Sequence, residues 1–191
     1  MSYKFLIDRI LLLITKPLNA WKEIMQEDKQ MVFSSFVYPM LALSGLAVFL
    51  GSLFSNGGDV PHKIFQLALT DSCAAVISLF GGVYLVSFLI EELSPRFFSV
   101  RIKEAGCQQM VGYGFVIVFI LSIIIGLFPN FKLLGSIFQF YIVYIIWEGI
   151  HYFIDVEEDK KFKVTLFISF LILFCPWLVQ FVFKKLMYIF N

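Results

Sequence analysis

Charge is scarce in this chain. Of its 191 residues only 15% are Asp, Glu, Lys or Arg, against about 25% in soluble domains. The net charge is +1 and no basic stripe forms, which excludes a nucleic-acid partner. Cysteine is equally sparse. Cys73, Cys107 and Cys175 stand apart in or beside apolar runs, without a C-x-x-C pair or a disulfide framework, and read as small buried apolar residues. Two histidines, His62 and His151, leave triad chemistry few options. There is no Gly-rich phosphate loop, no H-E-x-x-H and no G-x-S-x-G. The chain therefore reads as a non-enzyme with no cofactor. A cleavable signal peptide is also missing: "ILLLI" (10–14) is short and is closed by "TKP", so the N-terminus is expected to be the mature one.

What the chain has is apolar surface. Apolar residues make up 60% of it, 24 of them Phe. A chain of this size cannot hide so much inside a soluble core, so lipid must solvate much of it. Windows of about 20 residues pick out five spans, at about 31–54, 64–90, 110–128, 131–150 and 164–183. Backbone polar groups in lipid must pair internally, so the spans are expected to be helices. The fold class is an all-α integral membrane protein. Residues 1–30 form a cytoplasmic, amphipathic N-terminal segment, and residues 31–191 a five-helix transmembrane domain.

Lys and Arg set the orientation. Eleven fall on the side of the N-terminal segment and of the loops after spans two and four, and four on the other side. The positive-inside rule then puts the N-terminus in the cytoplasm and the C-terminus outside. Within the N-terminal segment, 3–14 reads as one greasy helix. From Pro17 a second carries Leu18, Trp21, Ile24 and Met25 between charged residues. Both are expected in the cytoplasmic interface or on the cytoplasmic face of the bundle. Ala74, Ser78 and Gly82 recur every four residues along span two, a small face suited to close helix packing within the chain or with a second copy.

The stretch "YIIWEGIHYFID" (144–155) places Glu148, His151 and Asp155 on one helical face. Glu-x-x-His is also the ligand spacing of di-metal bundles, but a second such pair is missing. The expected topology brings this end of span four to the same side as Glu91 and Glu92, ending span two. Gln109 and Tyr113, opening span three, lie there too. These seven residues are a candidate polar pocket, because acids near lipid usually face a cavity, a partner or an ion. The competing reading is a solvated rim with Trp147 as interfacial anchor. No metal is expected; Glu91, Glu148 and His151 are the weak candidates. Asp71, Gln66 and Gln139 are polar positions on the other side, suited to helix capping or interhelical hydrogen bonds.

Several stretches carry a family resemblance: "KPLNAWKEIMQED" (16–28), Pro39 in the first span, "GYGFVIVFILSIIIGLFPNF" (112–131) and "YIVYIIWEGIHYFI" (141–154). Together they resemble the Yip-type, Ypt/Rab-interacting membrane proteins in a short, bacterial-like form. Tyr113, Pro129, Tyr141, Tyr144 and Gly149 match family positions. Tyr113-Gly114-Phe115-Val116 departs from the usual Tyr-Ser pattern. The Asp-Leu-Tyr-Gly-Pro motif of eukaryotic members is not in this sequence, so roles tied to small GTPases are not implied. The resemblance implies a scaffold in the inner membrane of a bacterium that organises the bilayer or recruits a protein partner at its cytoplasmic face, with self-association left open. The alternative is a small-solute, ion or lipid pathway through the cytoplasmic polar cluster.

Overall fold

The computed structural model describes residues 3–27, 29–55, 61–102 and 106–190. Two short helices, α1 (Tyr3–Thr15) and α2 (Pro17–Ile24), precede the bundle. Pro17 sits at the first helical position, where its missing N–H costs nothing. The first span then runs through α3 (Lys29–Val32), a π-helical turn (Phe33–Val37) and α4 (Tyr38–Ser55). The π turn has a local cause. Pro39 can give no N–H to the turn before it, and Tyr38 N–H reaches back five residues to the Phe33 carbonyl.

Helix α5 (Pro61–Phe98) is 38 residues long, about 57 Å at 1.5 Å per residue. It closes where Ser99 adopts a φ of 52°, the left-handed terminator position that glycine usually fills. The third span joins α6 (Cys107–Gly114) to α7 (Val116–Leu127). It ends at Phe128, which precedes a proline and is therefore extended, with φ −131° and ψ 82°. A 3-10 turn (Pro129–Phe131) leads into α8 (Lys132–Phe138) and then α9 (Tyr141–Phe153). Helix α10 (Glu158–Phe190) completes the chain. Pairs β1 (Arg101–Ile102) and β2 (Ile154–Asp155) form a two-residue antiparallel clip between the loops after α5 and α9.

Among the described residues four helices are long and apolar enough to cross a membrane: Phe33–Ser55, His62–Phe98, Cys107–Leu127 and Glu158–Met187. The pair Pro129–Phe138 and Tyr141–Phe153, bent by 43°, makes a fifth where the two count as one span. The bend departs from the unbroken helix expected over 131–150. Its cause is a run of i→i−3 bonds: Phe140 N–H to Ile137, Ile142 N–H to Gln139 and Val143 N–H to Phe140. These tighten the chain locally and redirect the axis. Helices α5 and α10 both outrun a hydrocarbon core of about 30 Å, so the bundle extends beyond it. Phe170, Phe174, Trp177 and Phe181 stack along one exposed edge of α10, with centroid spacings of 5.2, 5.7 and 5.8 Å. Such a ladder suits lipid and not water.

Glycine lets the helices touch. Gly51 of α4 lies against the backbone of α7 so closely that a Cβ would collide with the Gly126 carbonyl oxygen. Ser44 Oγ donates to the Phe119 carbonyl across the same pair at 3.5 Å. On α5, Ala74, Ser78 and Gly82 are all buried. Gly82 receives the Pro176 ring of α10, which a Cβ would meet at 2.7 Å. The neighbour of that glycine is thus a helix of the same chain.

Candidate functional site

Helices α1 and α2 fold back on each other, and α2 packs along α9. The stripe that holds them is read directly from the burial. Leu6, Arg9 and Leu13 are buried on α1, and Pro17, Ala20, Trp21 and Ile24 on α2. Trp21 and Ile24 belong to the apolar pattern expected from the sequence, whereas Leu18 and Met25 are exposed. Trp21 is the anchor. Its Nε1–H donates to the Ile145 carbonyl at 2.9 Å. Its ring meets Phe153 edge-on at 5.3 Å and covers Gly149, where a Cβ would lie 2.5 Å from the indole. At the far end of the hairpin Tyr141 Oη donates to the Ile14 carbonyl at 2.7 Å.

A charged cluster closes the other end. The Arg9 side chain is only 8% exposed and faces two carboxylates. Its Nη1 donates to Glu23 at 3.1 Å, and its Nη2 donates to Glu27. Glu23 is 59% exposed and Glu27 15%, so the second pair is the desolvated one. Glu27 lies in the turn after α2 and is a hub. Its other carboxylate oxygen accepts from Tyr113 Oη at 2.6 Å. Its backbone carbonyl accepts from Gln109 Nε2 at 3.0 Å. Phe36 packs on the Tyr113 ring, with centroids 4.7 Å apart, while the Arg9 guanidinium stands over Phe5 at 5.3 Å. Within this cluster the Arg9 Nε has no hydrogen-bond partner among the described residues. The cluster ties α1, the turn after α2 and α6 together by charge-assisted hydrogen bonds, the stronger kind.

Of the seven residues expected to form a polar pocket, Gln109 and Tyr113 enter this cluster. The other five have different neighbours. Glu91 is exposed. Glu92 is exposed and paired with Arg96 one turn on. Glu148 is half-buried. His151 Nε2 lies 3.4 Å from Glu158, and Asp155 is exposed, its backbone paired with Arg101. Trp147 carries Lys161 over its face at 4.3 Å. Among the described residues no group of three or more His, Cys, Asp or Glu is placed to hold a metal ion.

Arg9 and Glu27, the charged core of the cluster, were not singled out by the sequence reading. The signal was present. Arg9 sits three residues after Leu6 and four before Leu13, on the buried stripe of an otherwise apolar helix. A charge on a buried stripe calls for a partner.

Polar residues of the other end meet elsewhere. Ser52 Oγ donates to Asp71 at 3.3 Å, and Lys184 Nζ lies 3.8 Å from the same carboxylate. Both line a cavity of about 730 Å³ together with Gln139. Gln66 is exposed.

The lipid-facing aromatics, the long apolar helices and the bent crossing define an all-α integral membrane protein. The family can be named more narrowly. The Yip1 domain model matches residues 11–179, most of the chain, and the chain belongs to that family. No curated protein and no solved structure matches it.

Proposed function

We propose that this protein is a membrane scaffold that recruits a protein partner through its N-terminal helical hairpin. The observation that carries the reading is the buried Arg9–Glu27–Tyr113 cluster, which fixes the hairpin on the bundle. A fixed hairpin presents a preformed outer face, and preformed faces lose little entropy on binding. That face mixes Lys4, Asp8, Lys22 and Glu23 with Ile7, Leu11 and Leu18, all exposed. Apolar patches rimmed by charge mark interaction sites. The Lys and Arg asymmetry supports a cytoplasmic position for the hairpin, with the C-terminus across the membrane. The role is non-catalytic. The interaction reading is preferred to a solute path because Gln109 and Tyr113 bond to Glu27, while Glu92 pairs with Arg96 and His151 lies beside Glu158.

The test places a photo-crosslinking residue at Leu11 or Lys22 in native membranes. A discrete adduct at both positions, absent when the probe replaces Phe174 on the lipid-facing ladder, is the expected result. Recovery of the uncrosslinked monomer at both positions across growth conditions would sink the proposal.

A further inference from the structure

The 730 Å³ cavity lies at the opposite end of the bundle from the hairpin, and five elements build it. Ser52 comes from α4, Asp71 from α5, Ser122 from α7, Lys132 from α8 and Lys184 from α10. Gln139, in the turn between α8 and α9, completes the polar part. Asp71 lies ten residues into α5, about 15 Å from its start. An acid at that depth in an apolar helix is costly and normally faces a cavity, a counter-charge or a ligand. Here the first two are present. The carboxylate faces the cavity and is met by Lys184 at 3.8 Å and Ser52 at 3.3 Å.

Once Asp71 and Lys184 are matched, one charge is left over. Lys132 has no ion pair among the described residues and lines the same cavity. The side chains therefore sum to one positive charge, which a singly charged anion would neutralise. The lining hydroxyls and amides of Ser52, Ser122, Gln139 and Gln180 suit hydrogen bonds to hydroxyls. Part of the lining is apolar, formed by Leu121, Ile125 and Leu173. Cations and an apolar surface in one cavity fit an amphiphile better than a free ion. The volume falls within the range of about 300–1,000 Å³ usual for small-molecule sites.

We infer that this cavity binds a phospholipid with a singly charged phosphodiester and a hydroxyl-bearing headgroup, such as a phosphatidylglycerol. Lys132 and Lys184 hold the phosphate. The serine and glutamine side chains hold the headgroup hydroxyls, and the first acyl methylenes lie on Leu121, Ile125 and Leu173. A zwitterionic headgroup leaves the extra positive charge unmatched, and free phosphate leaves the apolar wall unused. The site is independent of the hairpin and of any partner it recruits.

The test uses the full-length protein in mild detergent. Phosphatidylglycerol, phosphatidylethanolamine and inorganic phosphate are added in separate arms, with bound lipid read by native mass spectrometry and Tm by thermal unfolding. Phosphatidylglycerol is expected to be retained preferentially and to raise Tm. Lys132→Gln, at an exposed site, should weaken its retention about fivefold, the loss of one lysine's attraction at a membrane surface, and leave phosphatidylethanolamine unaffected. Asp71→Asn with Lys184→Gln removes the pair without stranding a charge and should weaken retention similarly. A photoactivatable phosphatidylglycerol should label residues between 118 and 139 or between 173 and 184 in the wild type, a readout that does not depend on any variant folding. Equal retention of both lipids, an unchanged Lys132→Gln, labelling elsewhere, or equal protection by inorganic phosphate would each overturn the inference.

Discussion

Arg9 touches two carboxylates, and only one of them should matter. Glu27 is 15% exposed and Glu23 is 59% exposed, while the Arg9 side chain they share is 8% exposed. Glu27→Ala leaves the guanidinium buried without its desolvated partner, and removes the acceptor of the Tyr113 hydroxyl as well. Breaking one side of a buried pair costs about 3–5 kcal/mol. Glu23→Ala removes a partner that water replaces, at a cost of about 1 kcal/mol or less. The hairpin packs on the outside of the bundle, against α6 and α9, so the loss should appear as local opening and not as global unfolding. Amide hydrogen exchange over α1 and α2, in detergent or in a lipid disc, reads it directly. Glu27→Ala should lower protection there by roughly a hundredfold to a few thousandfold, and Glu23→Ala by about fivefold or less, at 1.4 kcal/mol per tenfold. Arg9→Met combined with Glu27→Leu should restore most of the protection, because apolar residues of similar size tolerate the site once no charge is stranded. Equal effects of the two alanine variants, or a double variant as loose as Glu27→Ala, would refute the reasoning.

Two further tests separate close packing from its neighbours. Gly51→Ala drives a methyl into the Gly126 carbonyl, backbone against backbone, and should abolish the monodisperse species in size-exclusion chromatography. Gly45→Ala meets only the Val76 and Ser72 side chains, at 2.7 and 3.4 Å, and should fold with a loss of about 1–3 kcal/mol by thermal unfolding. At the hairpin, Trp21→Phe removes the bond to the Ile145 carbonyl, at about 1 kcal/mol. Gly149→Ala overpacks the indole by about 1–3 kcal/mol. Both should raise hydrogen exchange in α2 while that of α5 stays fixed, and a uniform rise across the bundle would contradict the assignment of Trp21 as a local anchor.

The spans were legible because lipid imposes a rule that reads in one dimension: long apolar runs become helices. The breaks were legible where proline made them, as at Phe128-Pro129. The bend at 139–143 was not, since i→i−3 bonding there follows from no proline and no glycine within the turn. The ends of α5 and α10 extend past the apolar windows because charged residues such as Glu91, Glu92, Lys160 and Lys161 are good helix formers once outside lipid. Side-chain chemistry was harder to place. Gln109 and Tyr113 could be put at the right end of the third span, but their partners lie 82 and 86 residues away in sequence. No local spacing encodes such a meeting. Glu27 reads from the sequence as part of the charged side of the second helix, and its bonds to Arg9 and Tyr113 reassign it.

That reassignment also explains why the hairpin carries a charge cluster at all. Its apolar contacts, Leu6, Leu13, Trp21 and Ile24, would tolerate a slide of one turn along α9, since one greasy stripe packs nearly as well as its neighbour. A buried pair adds little net stability over an apolar substitute. It does penalise every register in which Arg9 and Glu27 fail to meet, because each would then strand a charge out of water. The indole over Gly149 applies the same selection by shape, since the neighbouring α9 positions all carry a Cβ. The two devices act at different points along the hairpin, one at α9 and one at α6. Together they fix its position and its rotation, and the outer face of Ile7, Leu11, Leu18 and Lys22 is the consequence.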